Sequence, residues 1–234
     1  MSRRSRRIAA FLACSILVLA GFVVREGAGW VTLHAALMVF AWAVLAPLCV
    51  LLARYYKVTP EQDFPRAVDN PFWWRWHRWG QTAVVALSTL AFGIMWREIG
   101  WTGLASWHGT LGMGLVSIGW LQVFGGVLRG SKGGPTDPRA NPANPATWRG
   151  DHYDMTLRRR VFEAVHKSLG YAALVLVLPV IWLGVSLSGV DISVWISALA
   201  LWVGMVIGAA RLQRSGRHVD TWVALWGPKN PVGE

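Results

Sequence analysis

Charge is scarce in this chain, and acidic charge scarcest. Of 234 residues, 15% are charged, with 12 acids against 23 bases. Soluble domains carry about 25% charged residues, so a soluble globular fold is disfavoured. Cysteine is rarer still. Cys14 and Cys49 are the two present, and both fall inside long apolar runs, which argues against a structural disulfide. The Gly130–Thr136 stretch is rich in glycine and contains Lys132, but the P-loop pattern is absent, so nucleotide phosphate binding is not supported. Acids are also missing from the depths of the apolar runs; they cluster in the connecting segments.

What the chain has in quantity is hydrophobic sequence. It is 54% hydrophobic with 16 tryptophans, and its mean hydropathy is +0.38. Apolar runs cover residues 8–24, 30–53, 81–96, 104–128, 165–187 and 194–210. Most approach or exceed the roughly 17–25 residues that cross a bilayer as a helix. The short third run can be extended through Trp73–Trp79, whose indoles suit the headgroup zone. The expected fold is all-α: a polytopic membrane bundle of six transmembrane helices.

A net charge of +11 invites a nucleic-acid reading, but its distribution follows membrane topology. With the amino terminus inside, Arg3, Arg4, Arg6, Arg7, the 54–80 and 129–163 connections and the tail after Arg211 share one face. The other face receives Arg25 and Arg97, each beside an acid, Glu26 and Glu98. This is the positive-inside pattern, and no nucleic-acid role is needed. The arginines ahead of the first run also resemble a signal peptide. The run is long and lacks a clear small-x-small site, so it is read as a retained anchor. The outward loops, 25–29, 97–103 and 188–193, are too short to form a domain. The inner connection at 129–158 is rich in Gly, Pro and Asn, which are loop signals.

Four histidines then stand out: His34, His77, His108 and His166 each sit near the end of a separate run. Ionisable residues within spans are costly and mark function. His34 and His108 lie about one turn from the outer ends of their helices, whereas His77 and His166 lie near the inner ends. Two histidines at equal depth on facing helices are what a bis-imidazole b-type haem requires. Depth therefore pairs His34 with His108 and His77 with His166, giving two haems. No Cys-x-x-Cys-His occurs, which excludes covalent c-type attachment. Gly112 and Gly170 follow His108 and His166 by four residues, on the same helix face, and leave room for a flat macrocycle. Met38 and Gln81 hold the matching positions after His34 and His77. His152 and His218 fall in polar segments and read as solvent-exposed.

The residues around these histidines resemble the cytochrome b561 family, six-span, two-haem electron carriers of the ascorbate-reducible type; the chain looks like a bacterial member. Leu33–Met38 with Trp42, Pro47 and Ala53-Arg54 resembles the family's second span. Ser106–Gly112 with Gln122 and Gly125 resembles its fourth. His77 with Gln81, and His166 with Gly170 and Gly184, resemble its third and fifth. The resemblance covers roughly residues 30–210. It implies an outer haem between the second and fourth spans and an inner one between the third and fifth. Gly109 stands where the family has serine, the inner loop is long, and no ascorbate-binding stretch is evident.

The expected organisation is an anchor helix over 1–29, a four-helix di-haem core over 30–187, and a sixth helix with a cytoplasmic tail over 188–234. The expected function is transmembrane electron transfer, as an electron carrier or a ferric-reductase-like oxidoreductase. A cytoplasmic reductant would donate electrons and a periplasmic acceptor would take them. The protein would lie in a cell inner membrane, multi-pass, with both termini cytoplasmic. Arg54, Lys57, Arg75, Arg78, Arg129, Arg158, Arg159, Arg160 and Lys167 make the inner entrance basic. Such a mouth attracts anionic reductants and suits haem propionates, Arg78 and Lys167 adjoining the ligands most closely. A quinol-oxidising subunit feeding a periplasmic partner is the alternative, and a histidine-based metal transporter a more distant one. Oxidase-type ferric reductases carry two histidines on one helix, unlike this chain. Oligomeric state, a homodimer included, is left open.

Overall fold

The structure is a computed structural model that describes residues 3–68, 70–129, 144 and 157–226. Six helices are long and apolar enough to cross a membrane, and no strand occurs among the described residues. They are α1 (Arg3–Glu26), α2 (Trp30–Tyr55), α3 (Pro71–Ile99), α4 (Trp107–Leu128), α5 (Leu157–Ser188) and α6 (Ser193–Arg214). A short α7 (Thr221–Trp226) ends the described chain. The protein is therefore a multi-pass, all-α membrane bundle.

Local chemistry sets the helix starts. Asn70 caps α3, its side chain accepting from the Phe72 amide at 2.9 Å, and Pro71 occupies the first turn, where no amide hydrogen is required. Ser106 caps α4 by accepting from the Gly109 amide at 3.0 Å. Gly100, at φ 53°, closes α3 and leads into a 3-10 turn over Gly100–Ala105. Both α3 and α5 begin well before their apolar runs. Their first turns carry tryptophan and arginine, which remain helical in the headgroup zone.

The fold packs as two antiparallel pairs, α2 with α3 and α4 with α5, with α3 also against α4 and α6 against α5 and α2. The tightest part of the core is the second half of α2. Ala41, Ala43, Ala46 and Cys49 are essentially fully buried there. They meet Val84 on α3, Leu115 on α4, Ala173 and Val177 on α5, and Ala198 on α6. Small side chains let membrane helices approach closely, where dispersion drives association. Gly80 shows the same effect: a β-carbon there would strike the Cys49 sulfur.

Sequence reading did not anticipate the π-helical segment Phe40–Leu45 within α2. The Ala46 amide donates to the Ala41 carbonyl, five residues back. Pro47 follows directly and lacks an amide hydrogen, so the ladder must be re-spaced around it. The widened turn turns Trp42 into the bundle. Its indole donates to the Ser88 hydroxyl at 2.8 Å, and that hydroxyl donates to the Val84 carbonyl at 2.7 Å. This buried chain satisfies the Trp42 indole and the Ser88 hydroxyl within the bundle.

Candidate functional site

The four histidines stand in the bundle as two pairs at two levels. His34 on α2 faces His108 on α4, ring centres 6.0 Å apart and planes at 77°. His77 on α3 faces His166 on α5, again at 6.0 Å, with planes at 72°. Two imidazoles ligating one metal through trans nitrogens need two bonds of about 2 Å plus about 1 Å from each nitrogen to its ring centre, or about 6 Å in all. At each level two imidazoles thus stand at a spacing that one metal ion could bridge. Among the described residues no group of three or more His, Cys, Asp or Glu gathers for a metal ion.

At the first level the protein holds both rings. His34 Nδ1 lies 2.9 Å from the Ala91 carbonyl, and His108 Nδ1 lies 3.0 Å from the Val180 carbonyl. A carbonyl only accepts, so each Nδ1 carries the proton and Nε2 keeps its lone pair for a metal. Ala91 follows His77 by fourteen residues on α3, and Val180 follows His166 by fourteen on α5. Each of these helices therefore presents a histidine at one level and supports the other level about 21 Å away along its axis. The α2–α3 and α4–α5 pairs share this design.

Gly184 shapes the same level. A β-carbon there would come within 2.7 Å of the His108 ring. Gly184 is four residues past Val180, so its bare backbone uncovers the Val180 carbonyl for His108. A β-carbon at Gly112, by contrast, meets nothing within 4 Å, consistent with open space beside His108. Gly109 is explained too: a β-carbon would strike the Gly103 carbonyl where the 3-10 turn crosses the start of α4.

The second level is built differently. The Nδ1 atoms of His77 and His166 are buried and lack a hydrogen-bond partner. The Cys49 carbonyl lies toward His77 but outside hydrogen-bond geometry. Packing and backbone hold these helices instead. Gln122 donates to the His166 carbonyl at 2.8 Å, and Gln81 donates to the Ala46 carbonyl at 3.1 Å. Phe162 lies against the His166 ring at 5.1 Å. The space expected at Gly170 is narrower than at Gly112, because the Gln122 amide lies 3.3 Å from a β-carbon built there.

Basic residues crowd the end of the bundle nearest this level. Arg129 stacks over Trp74 at 3.8 Å. Burial first, then Arg159 and Arg78, push its guanidinium down to about 10. Lys57 is pushed down to about 8, mainly by burial, and donates to the Val219 carbonyl at 3.1 Å. Arg54 reaches Tyr171 and Gln213, and Arg217 donates to the Val58 carbonyl. The tail is thereby strapped to the α2–α3 connection. Lys167 pairs with Glu163 at 2.9 Å, and Arg159 pairs with the same acid at 3.2 Å. Glu163 is an acid inside α5, one turn from His166, which sequence reading had left among the loops. Arg78 stacks over Trp79 at 5.2 Å, and Arg158 bonds the Leu128 carbonyl. His218 is exposed. His152, the glycine-rich connection and the Arg160 side chain lie outside the described residues.

No family model and no solved structure matches the chain. Curated relatives do. It is 27% identical over 161 residues to ferric-chelate reductase 1 of Homo sapiens and of Mus musculus, covering 68% of this chain and 23% of each relative. It is 28% identical over 161 residues to ferric-chelate reductase 1 of Bos taurus, with the same coverage. The chain thus spans under a quarter of the length of the relatives it matches.

Proposed function

We propose that this protein carries electrons across a membrane between two b-type haems. His34 and His108 would hold one, and His77 and His166 the other. The observation that carries this reading is the repeated 6.0 Å pairing of histidine rings at two levels of one four-helix bundle. Bound haem supplies reversible one-electron chemistry. The protein supplies the ligands, an apolar surrounding and the side chains at each entrance.

On this reading electrons enter at the basic face and leave at the other. The named activity of the relatives, reduction of ferric chelates, supports an acceptor of that class at the exit. Lys57, Arg54 and Arg129 draw an anionic reductant toward the His77/His166 level. Arg78 stands at the rim of this field. Lys167, held by Glu163, adds less free charge than its position suggests. At the opposite face Trp30, Trp101 and Trp107 are exposed beside His34 and His108 and form an apolar approach for the acceptor. The basic face corresponds to the cytoplasmic side under the positive-inside rule, which puts both ends of the chain in the cytoplasm.

The test uses purified protein in proteoliposomes with ascorbate trapped inside. A red preparation with two haems per chain and reduction of an external ferric chelate are expected. His34→Ala should stop external reduction while leaving the basic-side haem reducible. A colourless preparation, or external reduction at full rate in His34→Ala, would overturn the relay.

A further inference from the structure

We infer that the groove between α1 and the α2–α3 pair is a binding site for an anionic phospholipid of the basic-face leaflet. The groove has a volume of about 450 Å³ and is almost wholly apolar. Leu12 and Ile16 of α1 form one wall and Phe40 and Leu45 of α2 another; Arg75 and Trp79 stand on α3. It runs from the first turns of α3, at the basic interface, about 12 Å along α3 toward mid-membrane. That is the path of one acyl chain within one leaflet.

The headgroup chemistry follows from Arg75. This arginine is exposed at the interfacial end of the groove and has no carboxylate partner among the described residues. A cation at the mouth of an apolar, inter-helical slot on the basic side is complementary to a lipid phosphate bearing net charge. A quinol fits less well, because no side chain lining the groove can accept its proton. The occupant also has a structural task. No residue of α1 is buried, and α1 packs chiefly on α2. Outside the hydrocarbon it is held by Arg4, which pairs with Glu61 at 2.5 Å and lies over Tyr56. A lipid in the groove joins α1 to α3 where protein contacts are sparse.

The full chain is reconstituted in nanodiscs containing equal phosphatidylglycerol and phosphatidylcholine, and retained lipid is counted by native mass spectrometry. One phosphatidylglycerol per chain is expected, preferred about fivefold, the discrimination that one interfacial arginine supplies. Arg75→Gln should bring the preference near unity. Ile16→Trp, on the exposed α1 wall, should fill the groove and lower retention of both lipids. Circular dichroism checks that each variant stays helical. Equal retention of the two lipids by the unaltered protein would overturn the site. So would undiminished phosphatidylglycerol preference in Arg75→Gln, undiminished retention in Ile16→Trp, or a lipid-free dimer.

Discussion

The two levels of the bundle present the same histidine pair with different support. At the His34/His108 level each Nδ1 meets a helix carbonyl at 2.9 or 3.0 Å. At the His77/His166 level neither Nδ1 is bonded, and the rings are located by packing beside a field of cations. A carbonyl partner fixes the tautomer and makes an imidazole a stronger donor to a metal. The comparison teaches that equal spacing does not mean equal ligands. The His34/His108 level is preorganised by backbone, whereas the His77/His166 level is set beside charge.

The largest effect should come from removing one ligand at each level in turn. His108→Ala should lose about one haem of two and leave the basic-side spectrum intact; His166→Ala should do the reverse. Haem-to-protein ratios and low-temperature difference spectra measure this. If either substitution removes both haems or neither, the two levels are not separate sites.

Gly184→Ala should separate the levels next. The added methyl presses on the His108 ring and its carbonyl partner, an overpacking cost of about 1–3 kcal/mol. The outer haem should titrate at a shifted potential or be lost, with the inner one unchanged. Gly170→Ala is expected to be milder, since the facing atom is the end of the Gln122 side chain, which can move. Equal damage from both changes would remove the asymmetry argued above.

Gln122→Ala should lower thermal stability in detergent by about 1 kcal/mol, the net worth of one hydrogen bond. It should broaden the inner haem signal alone, because the lost contact is to His166.

The smallest effect concerns pH. Lys57 loses its proton near pH 8, below its ordinary value. Its attraction for an anionic reductant is therefore present below pH 8 and lost as pH rises through it. Reduction by ascorbate at low salt should slow a few-fold across that range, and Lys57→Gln should flatten the profile. The stability sign is opposite. Burying the charged form is penalised below pH 8, and the penalty is relieved between about 8 and 10.4, where only the unfolded chain holds the proton. A neutral donor showing the same profile would mean that the haem itself, not steering, is titrating.

Much of the fold was legible in the sequence. Hydropathy located all six spans. The depth of each histidine follows from counting along its own helix, so the two levels could be read without coordinates. The supports could not. Ala91 and Val180 act through their carbonyls, and any residue there would offer the same atom. Gly184 matters because it lies beside His108 across a helix interface, which its neighbours in sequence do not reveal. Pro47 was visible, but the π segment ahead of it depends on how the freed ladder packs. Glu163 was visible too, and only the helical start of α5 set it on one helix face with Lys167, four residues on.

The sequence by itself determined that the chain crosses a membrane six times and where each histidine lies along the crossing. A bilayer imposes its constraint along one axis, and composition along the chain reports that axis directly. Tertiary structure alone decided which way each histidine faces, which ring it meets at 6.0 Å and whether a carbonyl holds it. Rotation about a helix axis is set by contacts between small residues on neighbouring helices, and those contacts exist only once the bundle has closed.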